Sequence, residues 1–225
     1  MQAMPLMMLD LDNTLIDRDA AFSSAATDFL AAHGLPGDDL TWLLEADASG
    51  YTPRPALVSA IVDRYAGKVG EDTVRALTDF GAADRVVLEE ATGSALTAAR
   101  DAGWLTVIVT NGRGPQQQAK IRNAGLDRLV TAWVVSGEVG LQKPDPAIFA
   151  AAADTVGADL EGAWMIGDSA RHDIAGAHAA GIRSVWISAS LPWTEHEYQP
   201  THIAPDAASA IRHVIAAPRP DRYPE

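Results

Sequence analysis

Asp10 and Asp12 stand two positions apart where the apolar run Pro5-Leu6-Met7-Met8-Leu9 ends. A run of that length reads as a short buried strand, because a helix of typical length needs more residues. In open α/β sheets, ligand chemistry gathers just outside the carboxyl ends of strands. A D-x-D leaving such an end offers a nucleophile with an acid/base neighbour, a hard-metal site, or both. An acidic loop is the plainer alternative.

Three later stretches carry chemistry of a matching kind. VIVTNGRG puts Thr110 and Asn111 at the end of a second apolar run, with a helix starting near Pro115. A hydroxyl, an amide and backbone N–H groups at a helix start are suited to anions, though Thr-Asn-Gly is also an ordinary turn. Lys143 precedes Pro144-Asp145-Pro146, where an ammonium could neutralise a phosphate oxygen and a neighbouring carboxylate or simply face solvent. MIGDSARHD places Asp168 at a strand end and Asp173 about one turn further on. Hard oxygen donors of this type suit Mg²⁺, which takes one or two carboxylates plus waters and substrate oxygens.

The elements that must position these residues are legible as apolar, β-branched runs. Strands are expected at Leu6–Asp10, Leu105–Thr110, Ala132–Ser136, Ala163–Asp168 and Ser184–Ile187. Helical stretches lie between the later ones, which is the alternation of a parallel, three-layer α/β sheet. Asp145-Pro146 supplies an N-cap and a proline at the first helical position before Ala147–Val156. Gly103, Gly125, Gly157 and Gly181 each follow a helical run, where a left-handed C-cap belongs.

From about Ala20 to Gly81 no strand can be read. Phe22, Ala26, Phe29 and Leu30 recur at helical spacing, as do Leu57, Val58, Ile61, Val62 and Tyr65. This predicts a helical insertion directly after the D-x-D loop, followed by a core helix over roughly Leu88–Ala102. The expected organisation is a Rossmann-like catalytic core over 1–18 and 82–217, a helical cap over 19–81, and a poorly ordered tail over 218–225.

Composition narrows the function classes. The chain has 225 residues, 48% hydrophobic and 21% charged, an ordinary globular mixture that can bury a core. Its net charge of −13 argues against nucleic acid or an anionic membrane as partner. No run approaches bilayer length, and the stretch before Asp10 lacks the basic lead-in of a signal peptide. The absence of cysteine removes disulfides, thiolate metal sites and cysteine nucleophiles, and fits a cytoplasmic location.

DLDNT, a strand ending in TNG, then KPDPAIF, then GDSxxxD follow one another in the order found in the haloacid dehalogenase superfamily. The chain resembles that superfamily over nearly its whole length, and the helical insertion looks like its C1-type cap. The resemblance implies a Rossmann-like three-layer α/β/α core with a parallel sheet. It makes Asp10 the nucleophile that forms an aspartyl-phosphate, and Asp12 the group that protonates the leaving alcohol and then deprotonates water. Thr110, Asn111 and Lys143 would hold the phosphoryl oxygens. Mg²⁺ would be held by Asp10, the backbone carbonyl of Asp12, and Asp168, with Asp173 supporting the site.

Relatives that release halide need no acid at the position of Asp12, so the resemblance implies phosphoester hydrolysis rather than dehalogenation. Asn13 stands where many relatives have glycine. The implied substrate is a small phosphorylated metabolite: a sugar phosphate, a phosphoglycolate-like acid or a nucleotide, acted on by a monomer or homodimer. A sugar phosphomutase is the alternative reading, and a non-catalytic phosphate-binding regulatory protein a further one. Trp104, Trp133, Trp164 and Trp186 are expected in core packing, and His172 at a solvated helix start. Trp42 and Trp193 either face substrate or simply pack. Tyr51 and Arg54 sit where C1-cap relatives place specificity residues, though Arg54 is equally read as a surface arginine. Arg18 and Asp19 are hinge candidates. Gly112-Arg113-Gly114 and Gly137–Gly140 lack dinucleotide-fingerprint spacing.

Overall fold

The structure, a computed structural model, describes residues 4–218, so most of the tail expected over 218–225 lies outside the described residues. Six strands form one all-parallel sheet: β1 Leu6–Leu9, β2 Leu105–Thr110, β3 Ala132–Val135, β4 Trp164–Gly167, β5 Arg183–Ile187 and β6 His202–Ala204. Their order is β3-β2-β1-β4-β5-β6. Strand β6 is an addition to the expected five. It has three residues and an exposed Ile203, so no apolar run announces it.

Strand β1 is central, and Leu6, Met7, Met8 and Leu9 are all essentially excluded from solvent. A strand covered on both faces is apolar throughout, which is why this run does not alternate. Burying each such side chain is worth about 1.5–3 kcal/mol. Leu9 pairs with Ile108 of β2 on one side and with Ile166 of β4 on the other. The connections therefore run outward in opposite directions from β1, and the loops after β1, β2 and β4 leave at one edge. That edge is the crevice where ligands of open parallel sheets bind.

The chain divides into two compact units, one holding the sheet and the other comprising Asp17–Val87 and Gln118–Ala124. The second unit is helical: α1 Arg18–Ala32, α2 Leu40–Asp47, α3 Arg54–Arg64 and α4 Glu71–Phe80. Phe22, Phe29, Leu30, Leu43, Leu57, Ile61, Val74 and Leu77 are buried in it. Its most buried polar group is Asp47, whose carboxylate takes both Arg18 and Arg54 and the Gly50 N–H. A buried carboxylate must be paired in this way, since an unpaired one would be costly.

The remaining helices are α5 Glu90–Asp101, α6 Gly114–Asn123, α7 Ser136–Val139, α8 Ala147–Thr155, α9 Ala175–Ala179 and α10 Ala207–Ala216. Helices α8 and α9 cover the sheet face that carries Leu6, Met8, Val107, Val109, Val134 and Met165. Helices α5 and α10 pack on each other and against β2 and β4 respectively, which completes three layers. Helix α8 begins at Ala147 as expected, but its cap is Pro146, the residue after Asp145. Asp145 reaches past it to accept the Ala147 N–H at 2.9 Å. Among the described residues, no helix is long and apolar enough to cross a membrane.

Candidate active site

Asp10 is the first residue beyond β1, its N–H still bonded to the Ile166 carbonyl at 2.9 Å, so the sheet itself fixes its backbone. Its Oδ1 accepts from Lys143 Nζ at 2.5 Å, and the same ammonium lies 2.7 Å from Asp173 Oδ1. Asp10, Lys143 and Asp173 are all buried, so of the two readings of Lys143 the structure has the cation beside a carboxylate and not the solvated one. Oxygens of Asp10, Asp168 and Asp173 lie within 4.8 Å of one another.

Electrostatics follows from one ammonium among three carboxylates. Burial pushes the Asp10 carboxyl well above its usual range, against the pull of Lys143 and with the repulsion of Asp173 and Asp168 added. Asp168 is pushed up to about 7, by burial first and then by Asp173. Burial alone would lower Lys143, but Asp10 and Asp173 outweigh it and hold the ammonium above its ordinary value. Asp173 Oδ1 is buried and faces the same ammonium as Asp10, so one cation serves both carboxylates. Three clustered carboxylates facing a single ammonium leave surplus negative charge on hard oxygen donors, which fits a divalent cation of the Mg²⁺ type.

Several contacts orient these groups. Thr14 Oγ1 accepts the Asp168 N–H at 3.1 Å, and Trp186 Nε1 donates to the Asp168 carbonyl at 2.7 Å. Asp173 Oδ2 accepts the Ser169 N–H at 3.0 Å. A Cβ at residue 167 would come within 2.2 Å of that oxygen, so the last residue of β4 must be glycine for Asp173 to pack there. The Ala170–Ile174 turn is a wide π-turn rather than an ordinary helix start. It half-buries His172, whose Nδ1 lies 3.0 Å from Ser169 Oγ and whose pKa burial lowers, in place of the expected solvated imidazole.

Asn111 is tied down at both ends of its amide. Its Nδ2 donates to the Lys143 carbonyl at 2.9 Å, and its Oδ1 accepts the Lys143 N–H at 2.9 Å. The side chain thus fixes the backbone that carries the ammonium. Thr110 Oγ1 accepts from Gln117 Nε2 at 2.7 Å, and the same nitrogen donates to Asp12 Oδ2 at 3.0 Å. The sequence reading passed over Thr14 and Gln117. Thr14 stands inside the DLDNT motif and could have been singled out. Gln117, the middle of three consecutive glutamines, carries no sequence signal.

The aromatic and cap residues fall as follows. Trp104, Trp164 and Trp186 are buried, and Trp133 half-buried, in or beside their strands. Trp186 adds the Asp168 hydrogen bond to its packing role. Trp193 stacks edge-on against Trp186 at 4.9 Å. Trp42 packs beneath the Arg64 guanidinium, 4.3 Å from its ring centre. Arg18 and Arg54 are both committed to Asp47, whereas Tyr51 is exposed.

The sequence model of the haloacid dehalogenase-like hydrolase family matches residues 4–181. The chain is similar to the phosphoserine phosphatase of Thermus thermophilus, 38% identical over 105 residues. That match spans 47% of this chain and 42% of the relative's length. It is also similar to the glyceraldehyde 3-phosphate phosphatase of Pyrococcus furiosus, 28% identical over 199 residues, which are 83% of this chain and 82% of that one. Among solved structures, the HAD-hydrolase YfnB from Bacillus subtilis, crystallised bound to magnesium, matches with a TM-score of 0.77. It covers 96% of this chain and 100% of its own at 21% identity, a likeness of fold.

Proposed function

Because the chain belongs to the haloacid dehalogenase-like hydrolases, we propose that it is a phosphomonoesterase working through an aspartyl-phosphate on Asp10. The observation that carries this reading is the second carboxylate. Asp12 is held in one hydrogen-bond network with Thr110, two residues from the buried Asp10–Lys143 pair. Displacement of halide would leave Asp12 without a task, whereas an alcohol leaving group requires its proton.

In the proposed reaction an Asp10 carboxylate oxygen attacks phosphorus in line as the ester P–O bond breaks. The departing oxygen takes its proton from Asp12. Water then attacks the aspartyl-phosphate and gives a proton to Asp12, and the acyl phosphate bond breaks to restore Asp10 and release inorganic phosphate. Lys143, anchored by Asn111, balances the charge of the nucleophile and of the incoming oxygens. The Thr110 hydroxyl accepts from Gln117 at 2.7 Å and makes only a long bond of its own, to the Asn111 carbonyl at 3.4 Å, which it would exchange for a phosphoryl oxygen. Asp10, Asp168 and Asp173 would hold Mg²⁺, with the Asp12 carbonyl as the further expected ligand. When bound, Mg²⁺ supplies charge neutralisation that lets an anionic nucleophile meet an anionic ester.

A small phosphorylated metabolite is the proposed substrate class, in keeping with phosphatase relatives named for phosphoserine and glyceraldehyde 3-phosphate. The helical segment 19–81, inserted directly after the D-x-D loop, is assigned the cap role of selecting that substrate. A chain without cysteine suits the cytoplasm.

The test is inorganic phosphate release across a panel of phosphomonoesters with Mg²⁺, beside EDTA and Asp10→Asn controls. Release by the wild type, lost by about 10⁴-fold or more in Asp10→Asn, is expected for removal of an attacking group. Equal release by Asp10→Asn would overturn the nucleophile assignment.

A further inference from the structure

Gln117 lies on the first turn of α6 and is 1% exposed. Side chains on a helix lean toward its N-terminus, and this one folds back under the loop that follows β2. Space for it depends on Gly112, where φ is +147° and a Cβ would stand 2.9 Å from Gln117 Cγ. Its backbone N–H bonds to the Arg113 carbonyl at 3.0 Å, so both ends of the residue are held. The amide nitrogen then spans two motifs that are far apart in sequence. One bond goes to Thr110 Oγ1 at 2.7 Å and one to Asp12 Oδ2 at 3.0 Å, with the Asn111 carbonyl more distant at 3.3 Å.

From this geometry we infer that Gln117 is a positioning residue for proton transfer by Asp12, an inference that rests on the phosphomonoesterase reading above. An amide nitrogen donates and cannot accept, so Asp12 Oδ2 is always its acceptor. An oxygen already accepting an N–H is the poorer seat for a proton, so this bond biases the proton toward the other carboxyl oxygen. Gln117 therefore biases the choice of working oxygen and fixes the plane of the carboxyl group. It also couples that plane to Thr110, so the acid and the phosphoryl-binding hydroxyl move as one unit.

The experiment compares kcat/KM for two substrates in wild type, Gln117→Met and Gln117→Glu. One substrate is the best alkyl phosphate of the phosphomonoester panel, whose leaving alcohol needs a proton. The other is 4-nitrophenyl phosphate, whose leaving group departs with little help. General acid catalysis contributes about 10²–10⁴-fold, and part of it should be lost. The expected result is a loss at least tenfold larger on the alkyl phosphate than on the aryl phosphate for Gln117→Met. Gln117→Glu, which keeps the shape but replaces the donor with an acceptor, should show the same imbalance.

An unfolded fraction lowers both rates equally and leaves their ratio unchanged, so poor folding cannot imitate the result. Equal losses on both substrates, or none, would overturn the positioning role while the wild-type and Asp10→Asn rates still upheld the phosphatase reading. A wild type that hydrolyses neither substrate would overturn that reading and this inference with it.

Discussion

Lys143 Nζ donates to Asp10 Oδ1 at 2.5 Å across 133 residues of sequence, with both side chains buried. The pair forms because parallel strands β1, β2 and β3 deliver their following loops to one edge of the sheet. Asn111 completes the placement by gripping the Lys143 backbone from both sides. The Asp10 carboxylate and its counter-cation are thus set by backbone geometry.

Removing the cation should therefore damage stability as well as turnover. Lys143→Met leaves Asp10 and Asp173 buried without a positive partner. Breaking a buried pair in this manner costs about 3–5 kcal/mol. In a chelator-treated sample that corresponds to a fall of roughly 10 °C in Tm. Differential scanning calorimetry checks it, and a variant melting within 2–3 °C (about 1 kcal/mol) of wild type would show that Lys143 does not neutralise the cluster.

Metal should act in the opposite direction. A cation bound by Asp10, Asp168 and Asp173 relieves their mutual repulsion and binds only the folded chain. At a hundred times its Kd, a ligand adds about 2.7 kcal/mol. Mg²⁺ should accordingly raise the wild-type Tm by roughly 5–10 °C, and Asp173→Asn should abolish most of the rise. An unchanged melt with saturating Mg²⁺ would remove these residues as a cation site.

Trp186 offers a third test because its indole N–H holds the Asp168 carbonyl at 2.7 Å. Trp186→Phe keeps most of the buried ring and deletes that bond. Groups that orient metal ligands typically account for about 10–100-fold in affinity or activity. A Mg²⁺ titration by calorimetry should show a loss of about tenfold, and an unaltered Kd would reduce Trp186 to packing.

What the sequence disclosed and what it hid divide along physical lines. The five longer strands were readable because a parallel sheet covered on both faces demands continuous apolar runs, as Leu6–Leu9 shows. Asp10, Asp12 and Asp168 stood out as candidates because each follows such a strand, and Lys143 because it stands just ahead of a helix start. Strand β6 was not, since three residues containing His202 carry no apolar period. Gln117 was not, since its bonds to Asp12 and Thr110 depend on a loop conformation opened by Gly112. The commitment of Asn111 to Lys143 was equally hidden, because it depends on how β2 and β3 are aligned.

The His202–His213 pair gives a pH-dependent prediction away from the carboxylate cluster. Their rings stack 3.6 Å apart and 2° from parallel, with His213 also edge-on to Trp164 at 5.9 Å. Arg183 lies over the same indole, 4.3 Å from its ring centre. Burial first, and then the neighbouring His202, lower the pKa of His213. An unfolded histidine titrates at about 6.5. Between that pH and the lower folded value, the unfolded chain binds the proton more readily than the folded one. Stability from the neutral stack is therefore complete above about pH 6.5 and is lost as pH falls through this window. Carboxylates elsewhere titrate as well, so the informative quantity is a difference between variants. Melts at pH 8.0 and 5.5 should show a larger fall in Tm for wild type than for His213→Gln. Equal falls in the two proteins would show that protonating this stack does not oppose folding.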